Sequence, residues 1–135
     1  MQSILTRASL AAALVLMAAP ALADDPGWTV KVPPPAGGEQ VYRQVCQSCH
    51  MPDGKGATGA ATIPALANNA HLAVAAYPIT LVAKGRGVMP WFDDMLTPTQ
   101  IADVVSYVRT HFGNNYPKPV TAAEVTQIAG KKTSP

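Results

Sequence analysis

The feature that most constrains this chain is the stretch CQSCH, residues 46–50, which contains both cysteines of the sequence. Two thiols three residues apart could form a disulfide, but that bridge would close a very short loop and stabilise the fold little. A thioredoxin-like redox centre also uses this spacing, but it needs a βαβ surrounding that the neighbouring residues do not predict. A zinc site would need two further ligands, and His71 and His111 are isolated in the sequence.

Attachment of a haem explains the two cysteines and the histidine together. The thiols of Cys46 and Cys49 lie one helical turn apart, so they can reach the two vinyl groups of one porphyrin while His50 lies under its iron. C-x-x-C-H is the attachment signature of c-type haem. The sequence therefore predicts one covalently bound haem c, and a dithiol oxidoreductase without haem is the alternative.

The N-terminus predicts export. Arg7 precedes a short apolar run at 10–19, and small residues at 21–23 form a cleavage site before Asp24. The run is shorter than a membrane span, which disfavours an uncleaved anchor, and no later segment is apolar for long enough to give stable membrane insertion. A signal peptide at 1–23 and a periplasmic location are predicted.

The charge balance excludes some partners. Removing residues 1–23 takes away Arg7 and no acidic residue, so the formal net charge falls from +2 to +1. A nearly neutral chain has no electrostatic basis for binding nucleic acid or an anionic membrane surface. We therefore predict neither of these partners.

CQSCH followed by a Met-Pro pair at 89–90 resembles the class I c-type cytochromes, and the resemblance covers about residues 37–113. It implies an all-α, cytochrome c-like fold, with three to five helices wrapped around one covalently bound haem. The predicted organisation is a Pro-rich extension at 24–36, a cytochrome c domain at 37–116 and a C-terminal extension at 117–135.

The iron needs a second axial ligand opposite His50. Met89 lies in KGRGVMPW, where two glycines loosen the backbone and a proline stiffens the chain after the methionine. The resembled family uses such a Met-Pro pair as its distal ligand, so Met89 is the predicted ligand. Met95 is the competing candidate, followed by His71 and His111.

The resemblance also implies residues around the haem. In this family a proline carbonyl in the loop after the haem motif accepts the Nδ1–H of the proximal histidine, and Pro64 is placed to do this for His50. Arg86 is the candidate to pair with a haem propionate. The predicted pocket wall consists of Ile63, Leu66, Leu81, Val82, Trp91 and Phe92.

Helix signals support this frame. Residues 38–48 predict a helix that carries Cys46 and leads to Cys49. Gly38 and Tyr42 in this helix resemble the glycine and aromatic pair with which this family packs its first helix against its last. Val104 and Tyr107 are the expected contacts. Shorter helices are predicted at 68–76 and 77–84, and neither of these segments alternates for long enough to predict a strand.

The last helix carries the strongest local signals. Thr97 is the predicted N-cap, Pro98 fits the first helical position, Gln100 completes a capping box, and Leu96 can pack on Ile101. The apolar stripe comprises Ile101, Val104, Val105, Val108 and Phe112. The sequence GNN at 113–115 ends the helix, and a second capping box is predicted at Thr121 and Glu124.

A haem with histidine and methionine on its two faces has no open site for a substrate, so the resemblance implies an electron carrier and not an enzyme. The expected donor is a periplasmic flavin or quinoprotein dehydrogenase, and the expected acceptor is a terminal respiratory oxidase or another cytochrome. Lys55, Lys84 and Arg86 lie in segments that could dock a partner, as could either extension. The alternative function is a gas sensor or weak peroxidase with a labile distal methionine.

Overall fold

The computed structural model describes residues 36–130 of the chain. The predicted signal peptide at 1–23 and the predicted extension at 24–36, including its Trp28, lie outside the described residues except for Ala36. Residues 131–135 lie outside them as well. Within the described part of the chain, no helix is both long enough and apolar enough to cross a membrane.

The segment that carries the cysteines is one helical run from Gly38 to His50. It consists of α1 (Gly38–Val41), a π-helical stretch (Tyr42–Cys46) and α2 (Gln47–His50). The helix predicted at 38–48 is therefore confirmed, but it is not a plain α-helix and it ends two residues later. A π-helical stretch widens the turn, which alters the directions of the side chains that follow it.

The first helical run packs directly on α4 (Pro98–Thr110). A methyl group on Gly38 would lie 2.6 Å from Cβ of Tyr107, so only glycine allows this approach. The rings of Tyr42 and Tyr107 have their centroids 5.7 Å apart. The predicted contact of Gly38 and Tyr42 with the last helix is present.

The start of α4 is as predicted, but its end is not. Thr97 and Gln100 form the reciprocal capping box, and Pro98 is the first helical residue. The helix ends at Thr110, and Phe112 adopts a left-handed backbone conformation with φ of 58°. Phe112 therefore does not continue the helical stripe. Its ring instead lies 4.9 Å from the ring of Tyr42, centroid to centroid.

The middle of the chain holds a 3-10 helix (Ala70–Ala73) and α3 (Ala76–Lys84). The 3-10 helix lies within the segment predicted at 68–76 and is shorter than expected, whereas α3 begins one residue before the segment predicted at 77–84 and ends with it. Two short strands, β1 (Ala57–Thr58) and β2 (Thr62–Ile63), pair in antiparallel register with Ala57 opposite Ile63. The sequence does not predict these two strands, because two residue pairs are too few to produce an alternating pattern.

The segment predicted as a C-terminal extension forms part of the core. Its helix α5 (Ala122–Ala129) begins at the predicted capping box of Thr121 and Glu124. Val120 and Val125 are buried in the same apolar cluster as the residues of α4, and α5 packs on both α3 and α4. Residues 120–129 of this segment therefore pack on the domain.

The core is a single apolar cluster formed by the first helical run, α3, α4 and α5. Its buried members are Val41, Tyr42, Leu72, Ile79, Leu96, Ile101, Ala102, Val104, Val105, Val108, Val120 and Val125. Leu96 and Ile101 both belong to it, as the predicted packing of these two residues requires. Apart from the two short strands, the regular elements of the described residues are helical.

Candidate haem site

His50 lies at the end of α2, where its imidazole is buried with an exposed fraction of 8%. The Nδ1 atom lies 3.1 Å from the carbonyl oxygen of Pro64, which can only accept a hydrogen bond, so Nδ1 carries the proton. Burial lowers the pKa of His50 below 6.5, and the hydrogen bond to Pro64 opposes this shift in part. The imidazole is therefore neutral at pH 7 and keeps Nε2 as a free electron-pair donor.

The two thiols occupy the turn before this imidazole. Cys46 is partly buried and Cys49 is exposed, and both are free thiols in the structure. Burial raises the pKa of Cys46 to about 11, and the nearby charge of Cys49 adds to the effect. Cys46 is therefore protonated at neutral pH.

The β1–β2 hairpin places Pro64 beside His50. The amide of Gly56 donates to the carbonyl oxygen of His50 at 3.1 Å, which ties the start of the hairpin to the end of α2. Gly56 has φ of 68°, and a methyl group on it would lie 2.9 Å from the carbonyl carbon of Pro64. The hairpin can therefore close on His50 only with glycine at position 56, a role that the sequence analysis missed.

Tyr42 contacts the residue that follows the CQSCH motif. Its hydroxyl donates to the carbonyl oxygen of Met51 at 2.6 Å. Burial, followed by the charge of Cys46, raises the pKa of Tyr42 to about 12, so the phenol keeps the proton that it donates. Met51 itself has φ of 67°, and the chain turns away from α2 at this residue.

Met89 lies on a tight turn that follows α3. The backbone groups of Arg86 and Met89 exchange two hydrogen bonds, each 3.0 Å long. Gly85, with φ of 71°, lies against this turn, and a methyl group on it would lie 2.6 Å from the carbonyl oxygen of Met89. Met89 is partly buried, whereas the competing candidate Met95 is 64% exposed.

The other predicted site residues differ in their surroundings. Leu66, Val82 and Phe92 pack on the apolar core, and Ile63 and Leu81 are partly buried outside it. Trp91 is 59% exposed in the protein alone, with its Nε1–H donating to Asp94 at 3.2 Å. The exposed side chain of Arg86 has no hydrogen bond or ion pair with any residue from 36 to 130.

A buried asparagine, which the sequence analysis treated only as part of a helix terminator, supports the loop around Leu66. The side chain of Asn114 donates to the carbonyl oxygens of Leu66 and Val108 and accepts from the amide of Asn69, each at 2.8 Å. It therefore joins the end of α4 to the loop that follows Pro64. The only signal in the sequence is the pair of Asn-Asn doublets at 68–69 and 114–115.

These residues fit a covalently bound haem. Two free thiols on consecutive helical turns are followed by a neutral imidazole whose Nδ1 is engaged, which leaves Nε2 for a metal. A carbonyl partner on the other ring nitrogen is the usual arrangement for a metal-bound histidine. The alternative ligand candidates His71 and His111 are both exposed.

The family comparison decides the identity of this site. A family model described as "Cytochrome C oxidase, cbb3-type, subunit III" matches residues 33–108, which is more than half of the chain and includes Cys46, Cys49, His50 and Met89. The chain belongs to this family of c-type cytochromes. The predicted recognition, the cytochrome c-like fold and the covalently bound haem c are thereby confirmed.

Related proteins place the cytochrome among electron-transfer components. It is 37% identical over 92 residues to cytochrome c6 of Gloeothece citriformis, covering 66% of this chain and 74% of that protein. It is 36% identical over 116 residues to the cytochrome c subunit of alcohol dehydrogenase (quinone) of Gluconacetobacter polyoxogenes, covering 76% and 23%. It is 35% identical over 113 residues to the fructose dehydrogenase cytochrome subunit of Gluconobacter japonicus, covering 73% and 23%.

The cytochrome spans about a quarter of the length of the two dehydrogenase subunits. The family and these relatives support a role in electron transfer and not in catalysis.

Proposed function

We propose that this cytochrome is a periplasmic one-electron carrier, with haem c attached through Cys46 and Cys49 and its iron bound by His50 and Met89. The observation that carries the proposal is the buried, neutral imidazole of His50, whose Nδ1 is engaged by Pro64 at 3.1 Å immediately after two free thiols. When bound, haem c supplies a one-electron cycle between ferrous and ferric iron, and a methionine sulfur favours the ferrous form.

The protein would hold His50 in one orientation. The carbonyl oxygen of Pro64 keeps the proton on Nδ1, and the backbone bond from Gly56 to His50 keeps the hairpin in place. A preset ligand changes little between two oxidation states, which favours rapid electron transfer. The hydrogen bond also increases the basicity of the imidazole toward a metal.

Met89 is proposed as the second ligand for three reasons. It is partly buried, its turn is closed by two backbone hydrogen bonds to Arg86, and it is followed by a proline. Met95 satisfies none of these conditions and is largely exposed. A thioether on the second face would leave no position open for a substrate.

The visible spectrum of the dithionite-reduced protein, prepared in a strain that matures c-type haem, tests the ligand set. We expect sharp low-spin bands that do not change when carbon monoxide is added. Met89→Ala should produce a protein that binds carbon monoxide, whereas the matched variant Met95→Ala should behave as the wild type. A wild-type spectrum that shifts with carbon monoxide would instead favour the gas sensor or weak peroxidase.

The proposed donor is a periplasmic dehydrogenase, and the proposed acceptor is a terminal oxidase or another cytochrome. Support for the donor comes from the relatives that are cytochrome subunits of alcohol and fructose dehydrogenases. Support for the acceptor comes from the description of the family, which names an oxidase subunit. The predicted signal peptide supports the location, and an N-terminus at Asp24 in protein recovered from the periplasm would test it.

The basic residues considered for docking are not equivalent. Lys55 pairs with Asp53 at 2.9 Å and Lys84 pairs with Asp93 at 3.1 Å, whereas Arg86 has no such pair within the described residues. An unpaired cation is the stronger candidate to meet an acidic partner surface. If Arg86 docks a purified quinoprotein alcohol dehydrogenase, raising the ionic strength should slow reduction of the haem by that enzyme. A rate that does not depend on salt would contradict this part of the proposal.

A further inference from the structure

The segment that carries Met89 is closed at its base by contacts on both of its sides. We define the Met89 loop as residues 85–91, between the end of α3 and Phe92. The amide of Phe92 donates to the carbonyl oxygen of Val82 in α3 at 3.0 Å. Next to this bond, the Nζ atom of Lys84 lies 3.1 Å from Oδ2 of Asp93. The two contacts join the residues on either side of the loop.

We propose that the ion pair of Lys84 and Asp93 is a clasp that keeps the Met89 loop closed, so that both are positioning residues for the axial methionine. This inference rests on the proposed function, because it assumes that Met89 binds the iron. Neither residue is proposed to touch the haem. Both act through the loop that they close.

The position of the pair supports this role. Lys84 is the last residue of α3, and Asp93 lies just after the loop. The two residues are nine positions apart in the chain, and the whole Met89 loop lies between them. No other ion pair in the part of the chain that the structure describes joins residues more than four apart. Among the described ion pairs, the clasp is therefore the one that joins the two sides of a loop.

The side chains of the ion pair are partly buried. The side chain of Asp93 is 24% exposed and that of Lys84 is 52% exposed, so water screens the pair only in part. Such an ion pair makes a small contribution to the free energy that keeps the loop closed, so the loop can still open. Local opening of a loop needs far less free energy than global unfolding, so a small contribution changes the opening measurably.

Imidazole binding to the ferric protein measures loop opening, because imidazole reaches the iron only when Met89 leaves it. We expect Asp93→Asn to tighten apparent imidazole binding by about 1.5- to 5-fold at low salt, the range for a partly exposed ion pair. Lys84→Gln should do the same, and the two changes combined should add little more. The charge swap Lys84→Glu with Asp93→Lys should restore most of the wild-type affinity.

Asp53→Asn is the matched control, since it breaks the exposed pair with Lys55 after the haem motif and removes the same charge. It should leave imidazole binding unchanged. In high salt the difference between Asp93→Asn and the wild type should shrink, because screening weakens the pair in the wild type. An equal effect in Asp53→Asn, or no effect of Asp93→Asn at low salt, would overturn the clasp.

Met89→Ala separates failure of the clasp from failure of the proposed function. Ferric haem bound by methionine sulfur has a weak charge-transfer band in the red, which this variant should lose. If the band persists in Met89→Ala, the ligand assignment is wrong and the clasp fails with it. If the variant loses the band but Asp93→Asn binds imidazole as the wild type does, the clasp alone is wrong.

Discussion

The buried guanidinium of Arg109 donates from Nη1 to the carbonyl oxygen of Lys118 at 2.5 Å, joining α4 to the segment that leads into α5. Its other nitrogens donate to the carbonyl oxygens of Leu72 at 2.9 Å and Ala73 at 3.3 Å. The side chain is only 4% exposed. One cation thus connects three parts of the fold through backbone carbonyls.

Arg109→Met should destabilise the haem-loaded protein by about 2–4 kcal/mol, because buried carbonyl groups lose charged donors and gain none in return. Urea denaturation would measure this loss. Arg43→Met is the matched control, since Arg43 is exposed and its pair with Glu39 is 3.8 Å long. Equal losses in the two variants would contradict the structural role of Arg109.

Removing residues 117–135 should cost more than Arg109→Met. The truncation removes Val120 and Val125 from the core, each of which contributes about 1.5–3 kcal/mol by burial. It also removes the carbonyl oxygen of Lys118, an acceptor of Arg109. Removing only 131–135 retains both valines. Thermal unfolding that is unchanged by the longer truncation would show that α5 does not stabilise the domain.

Because the longer truncation disturbs the core, it does not isolate a docking role for this segment. Ile128→Ser is the better variant for that purpose, since Ile128 lies on α5 with part of its side chain exposed.

Gly38→Ala should destabilise the protein by about 1–3 kcal/mol, because the added methyl group would overlap Cβ of Tyr107 and separate α1 from α4. Denaturant unfolding would again measure the change. Gly59→Ala is the matched control, because a methyl group at that position meets no atom within 4 Å. Similar effects at the two positions would indicate that helix packing is not the cause.

Acid stability should depend on Glu124. The amide and then the hydroxyl of Thr121 donate to its carboxylate, which lowers the pKa of Glu124 below its ordinary value of 4.5. A carboxyl group with a lower pKa in the folded state stabilises the fold above its unfolded pKa. That contribution is lost as the pH falls through the lower, folded value.

Glu124→Gln should therefore flatten the decline in unfolding free energy below about pH 4.5. At pH 7 the amide oxygen can still accept the two bonds from Thr121, as glutamine does in other capping boxes, so the capping itself should survive. Unfolding curves measured from pH 3 to pH 7 would test both statements. An equal destabilisation at every pH would contradict the charge-based explanation.

Arg86→Gln should slow oxidation of the reduced cytochrome by the anion ferricyanide by about twofold at low ionic strength, because an unpaired cation attracts an anionic reagent. Stopped-flow mixing would measure the rate, and added salt should remove the difference. Lys55→Gln changes the net charge equally on a residue that is already paired with Asp53. If both variants slow the reaction alike, net charge and not the position of Arg86 is responsible.

Much of the helical frame was encoded locally. Thr97 with Gln100 and Thr121 with Glu124 form their capping boxes within three residues, so spacing and residue type predict them without knowledge of the fold. The cysteine and histidine motif is equally local. For the same reason its attachment chemistry could be predicted from the sequence, and the family comparison confirmed the cofactor.

Other features were decided by contacts between distant parts of the chain. The sequence carries no signal that Arg109 is buried, that Lys84 pairs with Asp93 or that Asn114 joins the Leu66 loop to α4. Phe112 continues an apolar stripe in the sequence, yet its backbone leaves the helix and its ring packs on Tyr42, a residue 70 positions away in the chain.

The sequence by itself thus determined the spacing of the haem motif and the capping boxes that begin α4 and α5, because both depend only on residues three or four apart. The tertiary structure decided which polar groups are buried together, how the C-terminal segment joins the core and how the Met89 loop is closed. Those outcomes depend on burial, which is a property of the whole chain and not of any short stretch of it.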